Sequence, residues 1–200
     1  MNMGNDNHIT IRANGHKHKL MIPHGASLQH LVALYQKLCR YYLRENLEGF
    51  MRQEFGEALK LAALGKESNG QHMDHLCCLE SAAMAEALAK LSAKSKELAN
   101  CKTFDDLYNA IVKYVQGIDG LGPMYFYDVA LRLGVCQGLW PSKVYLQRGA
   151  QAGATHLNLT SQSNNLEYSA FPSELHCLNA VEIEDFLCIF QKQLEDLNSK

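Results

Sequence analysis

The chain has 200 residues, of which 47% are hydrophobic and 20% charged, and its formal net charge is −2 with histidine neutral. That length is enough for a well-buried core in one domain or two small ones. The composition is typical of a globular protein rather than a disordered or fibrous one. The near-neutral charge excludes proteins that coat polyanions, because these depend on a large positive charge.

Two further features of the sequence bear on where in the cell the protein is found. The sequence contains no apolar run approaching the roughly 18 residues of a membrane span, and its first ten residues are polar, unlike the apolar core of a signal peptide. The seven cysteines are scattered through segments with helical patterns, which indicates free thiols rather than a disulfide framework. We therefore expect a cytoplasmic protein that makes no contact with a membrane.

The pattern of residues 1–26 predicts a small β-hairpin. Residues 9–12 form a short β-like run, and Asn14-Gly15 is a strong hairpin signal because both residues tolerate positive φ. Residues 16–22 would be the return strand, which Pro23 ends because it cannot donate to a ladder.

Residues 27–100 are predicted to form a helical part. Ser27 is a candidate N-cap for a first helix that reaches Tyr42. A second helical stretch covers residues 47–64 and stops at Gly65, and a third, very regular one opens at Asp74 and continues to residue 98.

Residues 101–200 are expected to pack with this helical part as one globular unit. Thr103 and Asp106 have capping-box spacing, and so do Asn179 and Glu182. The capping box at Thr103 is predicted to start a helix that ends near residue 116. The one at Asn179 is predicted to start the last helix, which ends near residue 197. Residues 159–172 are rich in Ser, Asn and Thr and are predicted to be a mobile loop. The fold class expected is therefore mainly α, with a small N-terminal β-hairpin.

The most informative segment is residues 117–123, Gly-Ile-Asp-Gly-Leu-Gly-Pro, between two helical patterns. Gly120 and Gly122 allow a tight turn with unusual φ and ψ, and Leu121 would point inward between them. Pro123 suits the first turn of the following helix, and Ala130 is a small residue on that helix. This segment resembles the helix-hairpin-helix motif of DNA repair proteins, over residues 107–134.

The layout of residues 103–157 also resembles, in outline, the DNA glycosylase superfamily, which is built on this motif. Bifunctional glycosylases carry a nucleophilic lysine at the start of the second hairpin helix, where this chain has Met124 and Tyr125. The family also needs an aspartate soon after that helix, and residues 137–144 contain no carboxylate. The resemblance therefore implies a hairpin scaffold without glycosylase chemistry, with no catalytic residue, cofactor or metal expected.

The first functional hypothesis is a non-catalytic protein that contacts the DNA phosphate backbone without sequence preference. Backbone amides at the start of the second hairpin helix would hold a phosphate, and nearby cations would add charge. Asp119 and Asp128 would oppose this by repelling the anion. The predicted site residues are Gly120, Leu121, Gly122, Lys113, Arg132, Lys143 and Arg148.

The alternative is a protein–protein interaction module in which the hairpin is a structural scaffold, with a protein partner or a second copy of the chain. The near-neutral charge and the acidic last helix, with Glu182, Glu184 and Asp185, favour it. An enzyme of unrecognised type is the third hypothesis.

Two other groups of residues carry weaker signals. His72, Asp74, His75, Cys77 and Cys78 form a dense set of metal-ligand types, but structural zinc needs about four ligands and no matching second pair follows. The alternative there is a polar loop followed by buried cysteines. The aromatic residues Tyr125, Phe126, Tyr127, Trp140 and Tyr145 could stack on bases, although helical spacing places at least Phe126 in the core.

Overall fold

The structure, a computed structural model, describes residues 8–13, 16–161 and 163–197, with only the backbone described for residues 11–13 and 16–18. Its elements are, in chain order, β1 (His8–Ala13), β2 (His16–Met21), α1 (Leu28–Leu38), α2 (Arg40–Met51), α3 (Phe55–Ala63), α4 (Ser81–Ser92), α5 (Ser95–Leu98), α6 (Phe104–Val115), α7 (Pro123–Cys136), β3 (Lys143–Tyr145), α8 (Arg148–His156), β4 (Asn165–Glu167) and α9 (Ala180–Leu197). Short 3-10 helices lie at Asp74–Leu76, Tyr168–Ala170 and Ser173–Leu175. The mainly α fold with its N-terminal β-hairpin is confirmed.

The chain divides into two compact units. Their boundaries differ from the divisions after residues 26 and 100 that the sequence predicted. The terminal unit comprises residues 1–43 and 142–200, and the central unit comprises residues 44–141. The terminal unit joins the two ends of the chain because α1 and β1 both pack on α9, a pairing that no local sequence pattern reveals.

The terminal unit is built around α9. Ile183, Phe186, Leu187, Phe190 and Leu194 are fully buried along this helix, as their spacing predicts. The capping box is confirmed, since the Glu182 amide donates to Asn179 Oδ1 at 2.9 Å and the Asn179 amide donates to Glu182 Oε2 at 3.1 Å.

The N-terminal segment of the terminal unit follows the predicted order. β1 and β2 pair in antiparallel register, with Ile9 opposite Leu20, while the Asn14-Gly15 turn lies outside the described residues. Ser27 caps α1 by accepting from the His30 amide at 3.2 Å. The helix ends at Leu38, short of the predicted Tyr42. Cys39 is its C-cap, and a separate helix, α2, begins at Arg40.

Residues 159–172, predicted to form a loop, contain regular secondary structure instead. This segment contains β4, which pairs antiparallel with β3, and the following 3-10 helix. Polar residues form a strand here because a partner strand lies beside them, with Tyr145 opposite Asn165.

In the central unit the predicted helix over residues 74–98 is interrupted. Asp74–Leu76 is a 3-10 turn, α4 begins only at Ser81, and α5 is separate. The Met73 amide donates to the Gly65 carbonyl at 2.9 Å, which keeps the preceding chain extended. Burial of Leu76 then fixes the turn, so long-range contacts override the helical pattern.

The predicted helix over residues 47–64 is also two helices, α2 and α3. Its predicted stop is confirmed, since Gly65 has a φ of 62° and adopts the left-handed conformation typical of a residue just past a helix. No helix in the described part of the chain is both long and apolar enough to cross a membrane.

Candidate nucleic-acid interface

The predicted hairpin is present as α6, a short turn and α7. Ile118 and Leu121 are buried in the turn, and the Leu121 amide donates to the Ile118 carbonyl at 3.3 Å. Between them Gly120 is exposed and has a φ of 80°, a conformation that favours glycine. The two apolar side chains hold the turn on the core and leave its backbone on the surface.

The start of α7 has the geometry of an ordinary helix N-terminus. Gly122 is the N-cap and Pro123 the first helical residue. The first amide to donate within the helix is that of Phe126, to the Gly122 carbonyl at 3.1 Å, so the amides of Met124 and Tyr125 precede the helical ladder. Such a helix start favours an anion.

The surface beside this helix start is open. A Cβ atom at Gly120 or at Gly122 would meet no heavy atom within 4 Å. Gly122 has extended backbone, with φ −130° and ψ −172°, which any residue adopts. A ligand therefore has room to reach the backbone, and a side chain at position 122 is tolerated.

Asp119 lies in this turn and contacts its backbone. Its Oδ1 atom accepts a hydrogen bond from the Gly120 amide at 3.0 Å. The carboxylate thus occupies one of the donors that a phosphate would use and places a negative charge on the turn.

Two exposed cations, Lys113 and Lys94, lie near the end of α6. Their Nζ atoms lie 5.2 and 5.4 Å from the centre of the Tyr114 ring, within cation–π range. The Tyr114 hydroxyl donates to Glu97, and that hydrogen bond raises the pKa of the tyrosine. Lys113 is one of the predicted site residues, whereas Lys94, on another helical segment, is not among them.

Arg132 is buried rather than presented to a ligand. Its exposed fraction is 7%, its Nη1 atom donates to Asp128 Oδ1 at 2.7 Å, and its Cζ atom lies 5.9 Å from the centre of the Phe50 ring. The second oxygen of Asp128 lies 2.6 Å from His75 Nε2. Both carboxylate oxygens of Asp128 are therefore engaged, one by Arg132 and the other by His75.

These contacts determine the protonation of Asp128. Burial by itself would raise the pKa of this carboxyl, but the charges and hydrogen bonds of Arg132 and His75 outweigh it and hold the pKa below its ordinary value. Asp128 is thus a buried carboxylate that anchors a half-exposed histidine.

Lys143 and Arg148 belong to the terminal unit, whereas the hairpin belongs to the central unit. Lys143 Nζ lies 3.8 Å from Glu167 Oε1, and Arg148 is exposed at the start of α8. Of the four predicted cations, Lys113 is the one that the hairpin's own unit supplies in exposed form.

The histidine and cysteine cluster differs from the expectation. Cys77 and Cys78 are exposed rather than buried, and their Sγ atoms lie 3.7 Å apart. Within the described ranges no group of three or more His, Cys, Asp or Glu side chains is arranged to hold a metal ion. His75 bonds Asp128 instead.

Four of the five aromatic candidates for base stacking are buried. Tyr125, Phe126, Tyr127 and Tyr145 are at most 6% exposed, whereas Trp140 is 43% exposed. The Tyr125 hydroxyl donates to the Ala63 carbonyl at 2.7 Å. These four rings pack the core and offer no face to a base.

Sequence reasoning missed the contact between His75 and Asp128. The i, i+4 spacing of Asp128 and Arg132 on one helix was a usable signal for their ion pair. No local pattern joins His75 to them, because 53 residues separate it from Asp128.

Comparison of this chain with protein-family models, with curated proteins and with solved structures finds no match.

Proposed function

We propose that the helical hairpin of the central unit binds the phosphate backbone of nucleic acid, without catalysis and without sequence preference, in the cytoplasm. One observation carries this proposal: a Cβ atom at Gly120 or Gly122 would meet no heavy atom within 4 Å, so there is room beside the start of α7, where the amides of Met124 and Tyr125 precede the helical ladder. Those amides would donate to a phosphate oxygen. Lys113 and Lys94 would add long-range attraction.

The few cations set the strength of this binding. Neutralising Z phosphates on B-DNA gives a slope of about −0.9Z for the logarithm of affinity against that of salt. With Lys113 and Lys94 engaged we expect a slope of about −2. Binding should therefore be weak and visible mainly at low salt.

Fluorescence anisotropy with short labelled single- and double-stranded DNA tests the proposal. Gly122→Glu should abolish binding because it places a negative charge at the helix start, while Gly122→Gln, of matched size, should retain most of it. Both variants should fold, since position 122 is open and extended. Equal binding by wild type and Gly122→Glu would refute the hairpin as the contact.

Asp119 provides the complementary test. Asp119→Asn removes the negative charge of the carboxylate that accepts from the Gly120 amide. Because this charge repels phosphate, affinity for DNA should rise. Asp106→Asn changes the net charge equally but lies at the opposite end of α6, and it should raise affinity less. If the two variants bind alike, Asp119 acts only through net charge.

A scaffold for protein contact is the second candidate function. It is favoured by Asp119, whose carboxylate already accepts from the Gly120 amide, and by the burial of Arg132, which removes a predicted phosphate contact. It predicts no DNA binding by wild type or Asp119→Asn even at low salt. Light scattering across a range of protein concentrations would then show whether a second copy is the partner.

A further inference from the structure

Cys77 and Cys78 are neighbouring thiols in the loop between the 3-10 turn Asp74–Leu76 and α4. Both side chains are exposed, and their Sγ atoms lie 3.7 Å apart, within hydrogen-bonding range for sulfur. The sulfurs are therefore side by side and accessible from solvent.

The other thiols of the central unit are placed differently. Cys136 Sγ donates to the Gln53 carbonyl at 3.3 Å and Cys101 Sγ donates to the Glu97 carbonyl at 3.7 Å, and both side chains are partly buried. Each of these two thiols thus contacts backbone, whereas Cys77 and Cys78 contact each other.

We propose that Cys77 and Cys78 are a site of thiol–disulfide exchange with small disulfides of the glutathione disulfide class, ending in a disulfide between the two adjacent cysteines. This inference is independent of nucleic-acid binding, because it uses no atom of the hairpin turn.

The exchange proceeds in two balanced steps. The thiolate of Cys78 attacks one sulfur of the small disulfide, forming a mixed disulfide and releasing one small thiolate. Cys77 then loses its proton and attacks the Cys78 sulfur, forming the Cys77–Cys78 bond and releasing the second small thiolate. The two cysteines are oxidised, the small disulfide is reduced, and the two thiol protons end on the two released small thiols.

The order of attack follows from the contact between the thiols. The hydrogen bond and the charge of Cys78 raise the pKa of Cys77 above its ordinary value. Because the thiolate is the attacking form, this shift disfavours Cys77 as the first nucleophile and leaves that role to Cys78. Adjacent Cα atoms across a trans peptide are about 3.8 Å apart, closer than in most disulfides. The bond should consequently be readily reduced, as a reversible modification requires.

The test uses the full folded chain and glutathione disulfide, followed by acid quenching and mass spectrometry of tryptic peptides. Residues 67–90 lie between Lys66 and Lys90 and contain Cys77 and Cys78 without another cysteine. In wild type this peptide should lose two hydrogens and carry no glutathione. Cys77→Ser should retain one glutathione on Cys78, because the second step is blocked.

Cys101→Ser is the matched control and should behave as wild type. Phenylarsine oxide, which needs two close thiols, should protect wild type from oxidation and should not protect either single serine variant. Circular dichroism checks that the serine variants fold. The proposal is overturned if the wild-type peptide keeps glutathione, stays unmodified, or forms a disulfide between two molecules.

Discussion

His75 Nε2 lies 2.6 Å from Asp128 Oδ2, joining two residues that are 53 positions apart in the chain. The histidine side chain is half-exposed, whereas the carboxylate is buried and also accepts from Arg132. This cluster connects the 3-10 turn Asp74–Leu76 to α7, so its charges affect the stability of the central unit.

Replacing Asp128 with Asn should strongly destabilise the central unit. The change leaves the Arg132 guanidinium buried without a counter-charge, and breaking such a pair costs about 3–5 kcal/mol. Urea denaturation followed by circular dichroism measures the loss. Glu48→Gln is the matched control, since Glu48 and Arg52 form an exposed i, i+4 pair whose loss should cost about 0.3–0.5 kcal/mol. Similar losses in both variants would contradict the account.

The same carboxylate should make stability depend on acid pH. The pKa of Asp128 is held below its ordinary value of 3.8 by Arg132 and His75. Its contribution is therefore fully present above that value and is lost as pH falls through the lower pKa of the folded state. Denaturation across acid pH should show the stability difference between wild type and Asp128→Asn shrinking below 3.8. A constant difference would show that the charge of Asp128 is not responsible.

Gly153 should be intolerant of alanine because α8 and α9 approach closely at this point. A Cβ atom at Gly153 would lie 2.4 Å from the Leu187 carbonyl oxygen, a backbone atom that cannot swing away. Overpacking of this kind typically costs about 1–3 kcal/mol. Thermal denaturation should show a lower melting temperature for Gly153→Ala. Gly56→Ala, with open space around its Cβ, should be neutral or stabilising, and an equal loss there would argue against the close approach.

Cys39 should resist alkylation in the folded protein. Burial, reinforced by the charge of Asp185, raises the pKa of its thiol to about 12, so very little reactive thiolate forms at neutral pH. Cys177 and Cys188 are exposed in the same unit and provide internal references. Iodoacetamide labelling with peptide mapping should modify these two first and Cys39 only after denaturation. Prompt labelling of Cys39 in native protein would show that this site opens.

Several features of the fold were predictable because their causes are local. Ser27, Thr103 and Asn179 cap helices as their spacing indicates, since each side chain bonds an amide three residues ahead. The turn at Gly120 and the proline at the start of α7 are equally local. The candidate site was therefore visible as a motif, although which of its charges are exposed was not.

Other features depended on contacts between distant segments. The helical pattern after Asp74 is interrupted because Met73 pairs with Gly65 and Leu76 is buried. Arg132 was predicted to contact phosphate, yet it is buried against Phe50 and Asp128.

The sequence by itself determined the helical class, the caps, the buried stripe of α9 and the glycine turn, because each rests on residues within a few positions of one another. The tertiary structure alone decided which strand β4 joins, where His75 finds a carboxylate and which thiols reach solvent. These outcomes depend on the burial of surfaces brought together from distant parts of the chain, and the free energy of that burial exceeds the small local preferences that a sequence pattern expresses.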